Sequence, residues 1–454
     1  MKKNSIIVLA AIAMAGTFVA CSHEEDDIFE QSAAERLNTV SEIYSQRLAD
    51  SKGGWVMEYY PYNDNEDLIT GMGYLIMNRF HDNGSVFTLM KNKASANAVW
   101  SDSTAWEVIT DMGPVLTFNT YNICYGRFTD PEDLDLTPGT YDDESGEGFQ
   151  GDYEFVMVDV PEHGDHIMLK GRKRGLYQRL TRLPEGTDFE AYLDSVETFR
   201  KSHFVENAPW ELTMTEGGKR YTMNWMFRGY ATAYPEGSDS TTYGWHEPFL
   251  ITKFNDQYRL RFKDTLMVEG HQMEQEFVYS ADDDRFYGVI DNSNTIEGAN
   301  PTKHFVDYMQ KAHRWQFTSA EDVSGLIAEK FQVISNDFNA LKYTVKSVNF
   351  TIADTDGRVS IALQSGKTNV EIYYLYDMTI GDDGSYTITY REPYVTNNNK
   401  RASQILSTIT SLPDFLTSAN GTYTAEQATG TLFDLRKLKL TCSNGSEVKV
   451  QAVR

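Results

Sequence analysis

Cys21 carries the most definite chemistry in this sequence. It closes the run Phe18-Val19-Ala20-Cys21, after the apolar stretch Ile6 to Ala20 and the cations Lys2 and Lys3. That stretch is shorter than the roughly 20 apolar residues that span a bilayer and has the form of a signal-peptide core with small residues near its end. The tetrapeptide resembles a bacterial lipobox, with Phe18 where Leu is usual. Cleavage would remove residues 1–20, leaving the Cys21 thiol for a diacylglycerol and the freed amine for a third chain. At about 0.8 kcal/mol per buried methylene, such chains anchor a folded domain to a membrane.

Other constellations are weaker. Flat aromatic rings can stack on pyranose faces, and Trp225, Tyr230, Tyr243 and Trp245 form the densest aromatic run outside obvious core alternation. They are the candidate ligand-binding residues, although Trp225 also alternates as a core residue does. Acidic stretches at Asp64 to Asp67, Asp130 to Glu147, Asp282 to Asp284, Asp354-Asp356 and Asp382-Asp383 could offer oxygens to calcium, but none has a complete EF-hand loop. Solvated turns are the plainer account, so no metal or cofactor is assigned. Gly146 to Gly151 spells a dinucleotide fingerprint without the strand before it and helix after it. His246-Glu247-Pro248 lacks the second histidine of a zinc protease and carries a helix-breaking proline. His163 and His166 bracket a turn, and Lys170 to Arg179 is a basic run. No catalytic residue is assigned.

The elements that must position these residues are mostly strands. Ser32-Ala33-Ala34-Glu35 is a capping box opening a helix, and Leu37, Val40, Tyr44 and Leu48 give it an apolar face. From Trp55 the period becomes two. Tyr74 to Phe80 and Ser85 to Leu89 flank Asp82-Asn83-Gly84, a strong hairpin signal, and further short strands reach Lys170. Thr187 to Glu190 opens a second helix, after which Pro209-Trp210-Glu211-Leu212 echoes Gly54-Trp55-Val56-Met57, which hints at a diverged duplication. Strands then alternate with helices near Thr302 to His313 and Ser403 to Ser411, and the chain ends in a hairpin across Asn444-Gly445. The expected organisation is a signal peptide at 1–20, an acidic linker at 21–31, a helix plus β domain at 32–184, a helical connector at 185–204 and a β-rich domain with helical insertions at 205–454. The fold class is mainly β, with two antiparallel barrel- or sandwich-like units.

Composition limits the partners. The chain has 454 residues, 41% of them hydrophobic and 13% aromatic, and a net charge of −25 that becomes −27 when Lys2 and Lys3 leave with the signal. Such a field repels nucleic-acid phosphates and acidic glycans. Beyond Cys21 the cysteines are Cys124 and Cys442, and their spacing leaves open whether they pair.

Several segments together resemble an uncharacterised Bacteroidota lipoprotein family, domain of unknown function 4302. They are Ile28-Phe29-Glu30 with Ala34-Glu35-Arg36-Leu37, Gly54 to Pro61, Asp111 to Asn122, and Gly151-Asp152-Tyr153-Glu154-Phe155 before Leu169-Lys170-Gly171. Ser22 to Asp27, with Glu24, Glu25, Asp26 and Asp27, resembles the acidic signal that sends such lipoproteins to the outer face of the outer membrane. The resemblance implies lipocalin-like barrels, a lipid-anchored surface location and a role beside a transporter and lipoprotein lid that import glycans or peptides. It supplies no catalytic residue. Non-enzymatic binding is the leading expectation, with a surface hydrolase or a structural, adhesive envelope protein as alternatives.

Overall fold

The computed structural model describes residues 32–61, 72–111, 113–130, 149–226, 229–238, 247–353, 356–394 and 400–453. Its strands close into three eight-stranded antiparallel barrels. The first runs from Trp55–Tyr59 to Tyr177–Arg182, the second from Leu212–Glu216 to Thr295–Glu297, and the third from Arg314–Phe317 to Glu447–Val453. Strands pair in chain order around each ring, with one two-residue hairpin set aside from the second ring. The mainly β, barrel-forming class is as expected; the count differs, since the region after the connector closes two rings. Eight strands enclose about the space that side chains can fill, whereas roughly twice as many leave a channel.

The interiors are filled. In Trp55–Tyr59, alternate residues Trp55, Met57 and Tyr59 enter the first barrel's core while Val56 packs outward against the second barrel's cluster, so all five residues are buried. The short helix Ile123–Thr129 places Tyr125 and Phe128 in that core. Its N-cap, Asn122, is fully buried, accepts from the Cys124 and Tyr125 amides, and donates to Thr88 and Thr104 Oγ1 at 3.0 Å each. In the second barrel Phe204 and Phe433 pack among Phe249 and Phe286. In the third, helices Pro301–Gln310, Gly325–Ala340 and Leu412–Ser418 contribute Phe305, Phe331 and Phe415, leaving a void of ≈ 30 Å³, room for about one water.

The capping box at Ser32 and Glu35 opens helix Ala33–Ala49 as expected, and the Leu48 carbonyl accepts from Trp55 Nε1 at 2.9 Å. Gly53 and Gly54 let the chain pass close to its neighbours: a Cβ on Gly53 would lie 2.1 Å from the Pro184 oxygen, and Gly54 has φ +82°. Helix Phe189–His203 is the connector. It is wedged between Val56, Leu75, Met77 and Leu89 of the first barrel and the core of the second.

Ion pairs join the same two barrels. Arg261 Nη1 donates to Glu58 Oε2 at 2.8 Å, and Glu276 accepts from Arg179 at 2.7 Å and Arg259 at 3.0 Å. The second and third barrels are joined by Asp284, which accepts from Thr431 Oγ1 at 2.7 Å and the Leu432 amide at 2.6 Å.

Candidate functional site

With the rings filled, space for a ligand lies between them. A cleft of ≈ 950 Å³ separates the segment entering the second barrel from the rim of the third. It exceeds the ≈ 760 Å³ depression beside helix Ala33–Ala49 and the ≈ 610 Å³ one beside Asp152, and lies within the range of small-molecule sites. One wall is Val205 to Trp210; the other includes Tyr308, His313, Thr429, Arg436, Lys437 and Gln451.

Local structure fixes each wall. The connector helix ends at His203, and the Val205 carbonyl accepts from Trp225 Nε1 at 3.1 Å, pinning the entering segment to strand Lys219–Met226. Trp210 is only 5% exposed and packs its ring against Trp225 and His304, with centroids 6.4 and 5.3 Å away. Helix Pro301–Gln310 carries His304 and Tyr308 on one face, as a spacing of four requires. Tyr308 Oη donates to the Val453 carbonyl at 2.9 Å, and the ring stacks on the exposed His313 at 4.6 Å. On the third barrel, Asp434 accepts from Arg436 Nε at 2.9 Å and Nη2 at 2.6 Å. Lys437 opens strand Lys437–Cys442, is exposed, and has no ion-pair partner among the described residues.

The aromatic cluster packed around Trp210 holds buried polar atoms without partners among the described residues. Trp210 Nε1, His304 Nε2 and Trp315 Nε1 are buried and meet no hydrogen-bonding atom among the described residues. Burial pushes the His304 imidazole down to about 4, with Lys311 adding to the effect, so it is neutral at pH 7. An unpaired buried donor costs about 1–3 kcal/mol. A ligand acceptor or an ordered water would relieve that cost.

Of the aromatic residues singled out in the sequence, Trp225 is half-buried against Trp210 and Tyr230 is 1% exposed against the first barrel's core cluster. Tyr243 and Trp245, Cys21, Glu24, Glu25, Asp26 and Asp27 lie outside the described residues, as do His246 and most of the glycine-rich and acidic stretches. The basic run is engaged in part: Arg172 pairs with Asp111 and Glu154, and Arg179 with Glu276. Asp383 accepts from Ser385, and Asp284 holds the third barrel's loop. Among the described residues no group of three or more His, Cys, Asp or Glu side chains could hold a metal. Glu216 and Glu274 both accept from Asn294 Nδ2, at 3.0 and 3.1 Å, and Glu274 also takes the Ile290 amide at 2.7 Å. This pair clamps a loop. Cys124 and Cys442 are buried free thiols in different barrels.

Sequence reasoning read Trp210 as part of an echo of the first strand and passed over His304, Arg436 and Lys437. The meeting of Trp210, Arg436 and Lys437 in one cleft is a product of ring closure, and no local pattern signals it.

Residues 25–281, more than half of the chain, match the model of a family described as Domain of unknown function (DUF4302). No curated protein matches. Among solved structures, the DNA polymerase III beta chain of Streptococcus pneumoniae TIGR4 aligns at 10% identity over 92% of this chain and 98% of that one, with a TM-score of 0.15. A transferrin binding protein B mutant from Haemophilus parasuis Hp5 aligns at 8% identity over 88% and 76%, with a TM-score of 0.13. At such scores neither likeness bears on fold or function.

Proposed function

The chain belongs to the DUF4302 family, and from that premise and the geometry above we propose that it is a non-enzymatic, lipid-anchored surface lipoprotein of the outer membrane. It captures a nutrient glycan for an import system and holds it between its second and third barrels. The observation that carries the binding reading is the cleft of ≈ 950 Å³, lined in part by a buried indole whose N–H meets no acceptor among the described residues, beside rings with filled interiors. A glycan is favoured over a peptide because the described strands close into rings, whereas extended peptides often bind by adding a strand to an open sheet edge. The anchor and location rest on the sequence around Cys21 and on the acidic run that follows it.

Two experiments test the parts separately. Glycan and peptide libraries applied to the purified protein should give saturable binding to a glycan, and Ala208→Trp, which fills the cleft, should remove it. Binding that survives this substitution refutes the assigned site. Mass spectrometry of the mature protein should find three acyl chains on residue 21, and an unmodified thiol there refutes the anchor.

A further inference from the structure

We infer that the cleft selects an oligosaccharide bearing oxyanion groups, carboxylate or sulfate; this rests on the binding reading above and narrows its ligand class. The lining is rich in donors and poor in free acceptors. Its carboxylate, Asp434, is buried and held by the Arg436 side chain and amide. Those contacts use two of the five guanidinium N–H groups, leaving three, and the Arg436 side chain is 53% exposed. Lys437 adds an exposed, unpaired ammonium on the next residue. Trp210, 5% exposed, also lines the cleft, and its Nε1 meets no acceptor among the described residues. Asn207 and Gln451 lie along the same cleft and can both donate and accept, as sugar hydroxyls require.

A neutral sugar would leave the Lys437 ammonium without counter-charge, since Arg436 is already paired with Asp434, while an oxyanion meets it, and the free N–H groups of Arg436, with charge-assisted hydrogen bonds, roughly twice as strong as neutral ones. The chain's charge of −25 opposes this only at long range, because at physiological salt a field is screened over about 8 Å. Contact chemistry in the cleft therefore outweighs the repulsion read from overall composition.

The test is calorimetric titration of the full-length protein, purified in detergent, with two matched pairs: oligogalacturonate against its methyl ester, and a sulfated galactan oligosaccharide against its desulfated form. At least one acidic member should bind about tenfold or more tightly than its neutral partner, the factor expected from one charged hydrogen bond. The pair showing the preference identifies carboxylate or sulfate. Lys437→Glu should abolish that preference. Trp210→Phe, which removes the N–H and keeps an aromatic ring, should weaken the acidic ligand several-fold with circular dichroism unchanged. Equal binding within both pairs, or a preference untouched by Lys437→Glu, overturns the oxyanion inference and leaves the binding reading standing. No binding in any arm, with no glycan captured from the libraries either, overturns both.

Discussion

Glu58 offers the sharpest test of how the first two barrels are joined. It is 1% exposed, on the outward face of Trp55–Tyr59, and its Oε2 lies 2.8 Å from Arg261 Nη1 on the second barrel, whose side chain is 12% exposed. At an effective dielectric near 20, the gross attraction at that distance is about 6 kcal/mol, most of it offset by removing both charges from water. Glu58→Gln removes one charge and leaves Arg261 buried without its partner, which typically costs about 3–5 kcal/mol. Glu276 also acts favourably on the Arg261 guanidinium, so the lower end, about 3 kcal/mol, is expected. The assay is urea denaturation followed by fluorescence and far-ultraviolet circular dichroism. The double variant Glu58→Met with Arg261→Met replaces the pair by apolar side chains and should fall within about 1 kcal/mol of the parent. Equal costs for the single and double variants, or a single-variant cost below about 0.5 kcal/mol, would refute the argument.

Three further outcomes follow. The folded protein holds His304 neutral, its pKa pushed down to about 4 by burial, whereas the unfolded chain takes up a proton near pH 6.5. Stability contributed by this group is therefore present above pH 6.5 and falls as pH drops toward 4. Between pH 7 and 4.5 the loss in the parent should exceed that in His304→Gln by about 2 kcal/mol in urea titrations. Asn122→Ala should destabilise the protein by about 3 kcal/mol in the same assay, since it removes a helix cap and orphans the buried Thr88 and Thr104 hydroxyls. Burial pushes the Cys124 thiol up to about 11, so maleimide labelling followed by peptide mapping should find it at least about a hundredfold slower in native than in urea-unfolded protein.

Much of the first barrel was legible because its signals are local. The Asp82-Asn83-Gly84 turn joins Tyr74–Phe80 to Ser85–Met90, and the Ser32 capping box starts its helix where expected. Helix Ile123–Thr129 was not legible: its isoleucine, aromatics and glycine favour strand or turn, and the Asn122 network inside the barrel overrides that preference. The third ring was hidden for a related reason. Strand Arg314–Phe317 is four residues long and is separated from its neighbour Thr344–Ala353 by helix Gly325–Ala340, so no continuous meander appears in the sequence. The sequence carries no sign that a second barrel covers the outward face that holds Glu58. The cleft follows the same logic, since Trp210 and Lys437 become neighbours only through long-range closure.

Because Glu447–Val453 pairs with Arg314–Phe317, the third ring is sealed by residues made more than a hundred positions apart. A ribosome must release both segments before that seam can be stitched, and until then two raw borders stand ready to zip onto a sister molecule. Any chaperone escorting this protein would therefore have to guard the third ring until Glu447–Val453 has emerged, and a nonsense codon within that strand should yield proteolytic debris, with no shortened survivor.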